Sequence, residues 1–365
     1  MKFTVNRENL LRPLQQVSGV VERRQTLPVL SNILLRVSDH LTMTGTDLEV
    51  EMVATLPLDS SDPGEVTVPA RKLVDICREL PERANIEFEL SEQRVEIRSG
   101  RFRSTLSTLP AADFPAIDES DALLTTSVSS GAFKQLLDLT SFAMAQQDVR
   151  YFLNGMLLEF GEGYIRSVAT DGHRLAMNSC ALPQEVTAVQ QVIVPRKGVL
   201  ELQRLLNDLD EEVSLSIGSS HLRIRTASYT MTTKLIDGRF PDYERVVPRN
   251  GDKTILADKQ ELRQALNRTA ILSNEKFRGI RVSFSSGTIQ LAANNPEQEE
   301  AEETVSVEYE GDSLEIGFNV GYLQDVLSVV SGDQVKIIVH DANSSALLED
   351  PKNEEALYVV MPMKL

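Results

Sequence analysis

Cysteine is nearly absent from this chain: Cys77 and Cys180 are the only two, far apart and without the spacing of a metal site. That excludes a disulfide scaffold, suits a reducing cytosol and predicts a cytoplasmic protein. No stretch approaches the ~18 uninterrupted apolar residues of a membrane helix. The start, Met1-Lys2-Phe3-Thr4-Val5-Asn6-Arg7, carries charge but no apolar run of signal-peptide length after it. Histidine is scarce (His40, His173, His221 and His340), and there is neither a glycine-rich phosphate loop nor an H-E-x-x-H pair. No metal or cofactor is expected. Asp171-Gly172-His173 is the one acid–imidazole neighbourhood, but adjacent residues rarely orient each other as a catalytic triad requires, and no nucleophile elbow accompanies it. A hydrolase centred on Asp171 and His173 is therefore the weakest rival reading.

Positive charge is also in short supply. Lys and Arg number 37 against 54 Asp and Glu, a net charge of −17, which taken alone argues against a nucleic-acid partner. The distribution is uneven. Residues 1–123 carry 14 basic and 20 acidic side chains, residues 124–251 carry 13 and 14, and residues 252–365 carry 10 and 20. The C-terminal third is far more acidic than the middle.

What the sequence does contain is an internal repeat. Strand patterns ending in a polar turn close at Thr46, Thr170 and Asn294, 124 and 124 residues apart. Val68-Pro69, Val194-Pro195 and Phe318-Asn319 each open an amphipathic run, 126 and 124 apart, and Phe114-Pro115 and Phe240-Pro241 are again 126 apart. Each repeat holds two apolar stripes at helical spacing. They are Leu10/Leu14/Val17 and Leu73/Cys77/Leu80, then Phe133/Leu136/Leu137/Thr140 and Val199/Leu202/Leu205/Leu206, then Leu262/Leu266/Thr269 and Leu323/Val326/Leu327/Val330. Between them run alternating strands such as 86–90 and 213–217, joined by Gly, Ser, Asn and Asp turns. Short turns between consecutive strands favour antiparallel pairing, with two helices per repeat covering one sheet face. The expectation is an α+β chain of three repeated domains, 1–123, 124–251 and 252–365.

Long stretches of this sequence resemble the bacterial replicative sliding clamps, the beta subunit of DNA polymerase III. They are Thr108–Pro115, Asp148–Gly155, Ala169–Leu175, Asp237–Tyr243, Asn294–Glu303 and the tail Val359–Leu365. The resemblance covers essentially the whole chain. It implies a head-to-tail homodimer closed into a ring, with helices inside and sheets outside, that encircles duplex DNA without reading sequence. Such a processivity factor is not an enzyme. It tethers the replicative polymerase, the clamp loader and repair polymerases through short apolar peptides. The other rival is a scaffold that gathers peptides without DNA.

A sliding wall needs cations for phosphates but no base-reading geometry. Arg196, Lys197 and Arg204 sit on one amphipathic run, as Arg71, Lys72 and Arg78 do one repeat earlier, and Arg150-Tyr151-Phe152 joins a cation to two aromatics. By resemblance the DNA-contacting positions are Arg24, Gln147, Arg150, Tyr151, Phe152, Arg196 and Lys197. The family usually carries a second tyrosine where Phe152 stands. Acidic outer sheets then keep DNA off the outside of the ring.

Glu297, Glu299, Glu300, Glu302 and Glu303 crowd the third repeat, while Arg94, Arg98, Arg101 and Arg103 stud the first. Unlike surfaces at opposite ends of one chain suit a heterologous, ring-closing contact, although a run of carboxylates is more often a solvated loop. The resemblance adds Leu106, Ile271 and Leu272 as apolar contacts and Lys72 as a further cation, with Ser104 where an aromatic is common. The apolar tail reads either as a final strand or as a groove wall, Met side chains being suited to several partners. The resemblance favours the groove. It carries over Leu153, Thr170, Gly172, His173, Arg174, Leu175, Pro241, Arg245, Val246 and Val247 as peptide-binding positions. From the third repeat it adds Asn319, Tyr322, Ser345, Val359, Val360, Met361, Pro362, Met363, Lys364 and Leu365. Two departures are Lys364, where Arg is frequent, and Asn343, where valine is.

Overall fold

A computed structural model describes all residues except 23–26, 60, 118–121, 184–185, 187, 207–210 and 365. The candidate positions Arg24 and Leu365 lie outside the described residues.

Among the described residues there are six α-helices: α1 (Arg7–Gly19), α2 (Ala70–Glu79), α3 (Ser130–Asp138), α4 (Arg196–Leu205), α5 (Lys259–Ala270) and α6 (Val320–Val329). Their starts are chemically marked. Asn6, Asp258 and Asn319 cap α1, α5 and α6, each side-chain oxygen accepting from a backbone N–H two or three residues on. The expected stripes face the core: Leu10, Leu14 and Val17, Leu73 and Cys77, Val199 and Leu202, Leu262 and Leu266, and Leu323 and Val326 are all buried. α3 closes earlier than its stripe predicts. Thr140 lies beyond its end, where its hydroxyl donates to the Leu136 carbonyl at 2.9 Å and the chain turns into a 3-10 turn, Ser141–Ala143.

The chain divides into two compact units, residues 1–134 with 197–235 and residues 135–196 with 236–365. Each holds one terminal repeat and half of the middle one. In the first unit a five-stranded antiparallel sheet runs in the order Ser61–Asp62, Lys2–Asn6, Asn85–Ser91, Arg94–Ser99, Phe102–Ser107. An eight-stranded sheet runs Leu124–Ser129, Glu212–Ile217, His221–Arg225, Tyr229–Lys234, Val50–Pro57, His40–Thr46, Asn32–Val37, Gly64–Pro69. Here the first repeat joins the second, strand to strand, with Glu51 opposite Thr232.

The second unit carries twelve strands. The first six are Gln190–Pro195, Gly155–Gly161, Tyr164–Thr170, Arg174–Ala181, Asn353–Val360 and Ala346–Asp350. Gln334–Val339, Lys253–Asp258, Glu300–Glu308, Thr288–Asn294, Gly279–Ser285 and Leu314–Asn319 follow. The second repeat joins the third through Leu175 opposite Val359. The tail is a strand to Val360 and then a non-strand segment whose backbone donates from Met361 to His173 O and from Met363 to Gly317 O.

Strands such as Gly64–Pro69, Gln190–Pro195 and Leu314–Asn319 also end their sheets, but two further open edges stand out among the described residues. Phe102–Ser107 ends its sheet, and Glu300–Ser306 pairs on one side only, its other neighbour touching just Val307 and Glu308. Exposed edges of this length are templates for pairing with another chain.

Candidate peptide pocket, DNA-facing loop and open edges

The peptide-binding candidates that the structure describes all fall in the second unit. Leu153, Leu175 and Val359 pack into one buried apolar cluster with Phe240 and Tyr243, and Val246 and Val247 lie half-buried against it. Side chains that alternate across a sheet supply this floor, because Leu175 and Val359 are cross-strand partners. Pro241 and Arg245 stand exposed at the rim, Arg245 paired with Asp242 at 2.7 Å.

One wall is a turn built by Asp171. Its carboxylate accepts from the backbone N–H of His173 at 2.9 Å and of Arg174 at 3.1 Å, while Thr170 Oγ1 donates to the Arg174 carbonyl and accepts from Gly172 N. Gly172 has φ +87°, and a Cβ there would meet the Arg150 guanidinium at 2.8 Å. The left-handed φ favours glycine here, and any side chain would also push the Arg150 tip aside.

Arg174, expected to hold a peptide, is already engaged. Its Nε donates to Asp171, Nη1 to Asp325 and Nη2 to the Phe142 carbonyl, with the guanidinium between the Phe142 and Tyr322 rings. It shapes the wall and keeps Tyr322 in place, and Tyr322 in turn stacks with His173. Asn319 is likewise committed, accepting from Gly321 N and donating to Phe277 O. Met361, Pro362 and Met363 are half-buried along the tail, Lys364 is exposed, Ser345 is half-buried and Asn343 is exposed in a turn capped by Asp341. Asp325 and Phe142 were invisible to the sequence reading, since only the fold brings them to Arg174.

This geometry also bears on catalysis. The Asp171 carboxylate is directed to backbone N–H groups and to Arg174, and the His173 ring to Tyr322. Among the described residues no group of three His, Cys, Asp or Glu side chains is arranged to hold a metal. Burial pushes the Cys77 thiol up to about 12 and the Cys180 thiol up to about 11, so neither is a ready nucleophile.

The DNA candidates Gln147, Arg150, Tyr151 and Phe152 share one loop of the second unit. Asn154 staples it, accepting from Asp148 N and donating to Asp148 O, both at 2.9 Å. Gln147 sits in the left-handed region at φ +56°. Tyr151 is 56% exposed and meets Phe152 edge-on at 5.7 Å. Val149, at 95% exposure, is a loop-tip residue that sequence reasoning passed over. Arg150 is bidentate on Asp148 and also donates to the Asp171 carbonyl, and its guanidinium holds the Asp148 carboxyl down at about 2. Among the described residues, Arg196 donates to the Met144 carbonyl at 3.5 Å. In the first unit, Lys197 is half-buried between Asp47 and Glu22 and also reaches the Val20 carbonyl. Contact with phosphate there requires an exchange of partners.

In the first unit Arg94, Arg101 and Lys72 are exposed, Arg94 on the strand beside the open edge and Lys72 on α2. Glu96 draws in both Arg98 and Arg103, a partner the charge count missed. Leu106 is buried and Phe102 exposed. In the second unit, Ile271 is 76% exposed with Leu272 beside it, Glu303 pairs with Arg268, and Glu299 accepts from the Asn295 side chain. Glu300 and Glu302 are exposed on the open strand, and Glu303 is half-buried.

Residues 1–118, 127–242 and 244–364 match the N-terminal, central and C-terminal domains of the DNA polymerase III beta subunit family. The chain is 58% identical to the beta sliding clamp of Pseudomonas aeruginosa and 52% identical to that of Escherichia coli, covering 100% of both chains in each case. A crystal structure of the P. aeruginosa sliding clamp bound to griselimycin superimposes with a TM-score of 0.98 at 58% identity, over 100% of each chain. Caulobacter crescentus pol III beta gives 0.94 at 37%, again over 100% of each. With three family domains in order along one chain and relatives matched from end to end, the chain belongs to the DNA polymerase III beta subunit family of sliding clamps, accessory subunits that confer processivity and perform no catalysis.

Proposed function

We propose that two copies of this chain pair head to tail into a ring around duplex DNA and hold replication enzymes there through the apolar pocket of the second unit. The observation that carries the reading is the pattern of strand joins. The strand after the polar turn is Val50–Pro57 in the first repeat, and it is paired by Tyr229–Lys234 of the second. Its counterpart Arg174–Ala181 is paired by Asn353–Val360 of the third. The third counterpart, Glu300–Glu308, lacks such a partner over residues 300–306, and Phe102–Ser107 of the first repeat is left over. A second copy satisfies both edges at once, and two such joins close a ring. Backbone pairing sets the geometry, Ile271, Leu272 and Leu106 supply the apolar area, and the carboxylates opposite Arg94, Arg101, Arg103 and Lys72 supply orientation.

Topological hold needs no tight DNA contact. Gln147, Arg150, Tyr151, Phe152 and Arg196, with Arg24 and Lys197, touch phosphates without reading sequence. Leu153, Leu175, Pro241, Val246, Val247 and the Val359–Lys364 tail take apolar side chains of short peptides. Those peptides belong to the polymerase catalytic subunit, the clamp loader and repair polymerases. Groove-and-peptide recognition of this kind lets one surface serve several partners in turn. Sedimentation equilibrium tests the pairing: the account requires about twice the chain mass of 40.6 kDa, and a monomer at micromolar concentration contradicts it.

A further inference from the structure

The repeat places three residues in equivalent positions, two before the ladder that joins each repeat's first sheet strand to its edge strand. Those ladders begin at Asn32 opposite Pro69, Gly155 opposite Pro195 and Gly279 opposite Asn319. The equivalent residues are therefore Leu30, Leu153 and Phe277. Leu30 and Leu153 are each 1% exposed, whereas Phe277 is 54% exposed.

The cause of the difference is visible. In the first repeat Phe114 packs onto Val29, Leu30 and Leu34, and in the second Phe240 packs into the cluster of Leu153 and Leu157. Both phenylalanines are followed by proline. Each arrives along a segment that first hydrogen-bonds the edge strand, through Thr67 N to Leu109 O and through Ile236 N to Ile193 O. In the third repeat Met363 N makes the matching bond to Gly317 O, yet no phenylalanine among the described residues packs onto Phe277, whose ring keeps 54% exposure with the Lys276 ammonium 5.2 Å from its centroid. Beside it lies an open cleft of about 560 Å³, walled by Phe277, Pro296, Met363, Asn274, Asn294 and Lys364. Lys276 and Arg278 flank the ring, and Arg281, paired with Glu315, stands where the other repeats have Leu34 and Leu157.

We infer that the cleft beside Phe277 is a second peptide-docking site, taking from a partner protein an Asp-Phe-Pro segment that occupies the place Phe114 and Phe240 fill in the other two repeats. The partner's phenylalanine covers the Phe277 ring, an exposed apolar surface with a ready shape. Its proline turns the chain, and an acidic residue before it faces Lys364 and Arg278. Gly317 O on the Leu314–Asn319 edge is taken by Met363 N, and the rest of that sheet-ending strand offers backbone groups to such a segment, so strand-edge pairing adds to the side-chain contact. The site shares only Met363 and Lys364 with the pocket proposed above, and either reading stands if the other fails.

The chain itself supplies the probe. A synthetic peptide of residues 109–116 carrying Phe114→Trp reports binding without background, because the protein contains no tryptophan. The expected result with the whole protein is a blue shift of tryptophan emission that saturates. Phe277→Ser should weaken it roughly ten-fold or more, as loss of a buried aromatic contact does. Val247→Asp, in the other pocket, should leave it unchanged. Lys364→Glu should weaken the Asp113 peptide and strengthen a peptide with Asp113→Lys. No saturable shift, equal binding to the Phe277→Ser variant, loss on Val247→Asp, or no reversal by the charge swap would each overturn the proposal.

Discussion

Arg174 offers a graded test of how the pocket wall is held. Its side chain is only 11% exposed, and its partners differ: Asp171 is 17% exposed and Asp325 48%. A hydrogen bond to a charged group contributes ~1.5–3 kcal/mol when shielded from water, but a half-exposed pair retains only about 1 kcal/mol or less. Asp325→Asn should therefore cost about 1 kcal/mol, or roughly 2–4 °C in the melting temperature of a unit this size. Asp171→Ala removes the charge and both backbone caps and strands a shielded guanidinium. That should cost ~3–5 kcal/mol. Both changes release Tyr322, so binding of an apolar peptide should weaken roughly three- to ten-fold for Asp325→Asn and more for Asp171→Ala. Calorimetric melting and fluorescence anisotropy of a labelled pocket-binding peptide measure the two quantities. If Asp325→Asn matched the parent in both, or exceeded Asp171→Ala in either, Arg174 would not be held as described.

Further outcomes follow from the same contacts. Lys197→Ala leaves Asp47, with 3% side-chain exposure, without its cation; the first unit should lose ~3 kcal/mol, whereas Arg196→Ala should leave melting nearly unchanged, as calorimetry would show. The Asp148 carboxyl, held at about 2 against an ordinary 3.8, should titrate near pH 2 by carbon NMR. Because that pKa is depressed, the contact contributes fully above pH 3.8 and is lost as pH falls through 2; Arg150→Ala should return the midpoint toward 3.8. Ile271→Asp places a charge on the apolar part of the open edge and should yield monomers by light scattering, while a variant that remains dimeric would remove Ile271 from the interface.

The repeat, the two helices in each copy and the antiparallel class were legible because periodicity records burial directly: the stripes at Leu10, Leu73, Val199, Leu262 and Leu323 are the buried faces. The proposed pocket floor entered the reading only through the resemblance. What escaped were relations that only tertiary pairing creates. Glu96 meets Arg103 across a hairpin, Asp325 approaches Arg174 from 151 residues away, and Lys197 is met by Asp47 from 150. A charge count registers such cations as free, since nothing local announces their partners. The strand joins between repeats were hidden for the same reason, the two partner strands being far apart in sequence.

Retention on DNA of different topology tests the central claim most directly. Protein loaded by its clamp loader onto a nicked circle should stay bound through gel filtration at high salt, and cutting the circle once should release it. Equal retention on circular and linear DNA, or none on either, would contradict a ring that holds by encirclement.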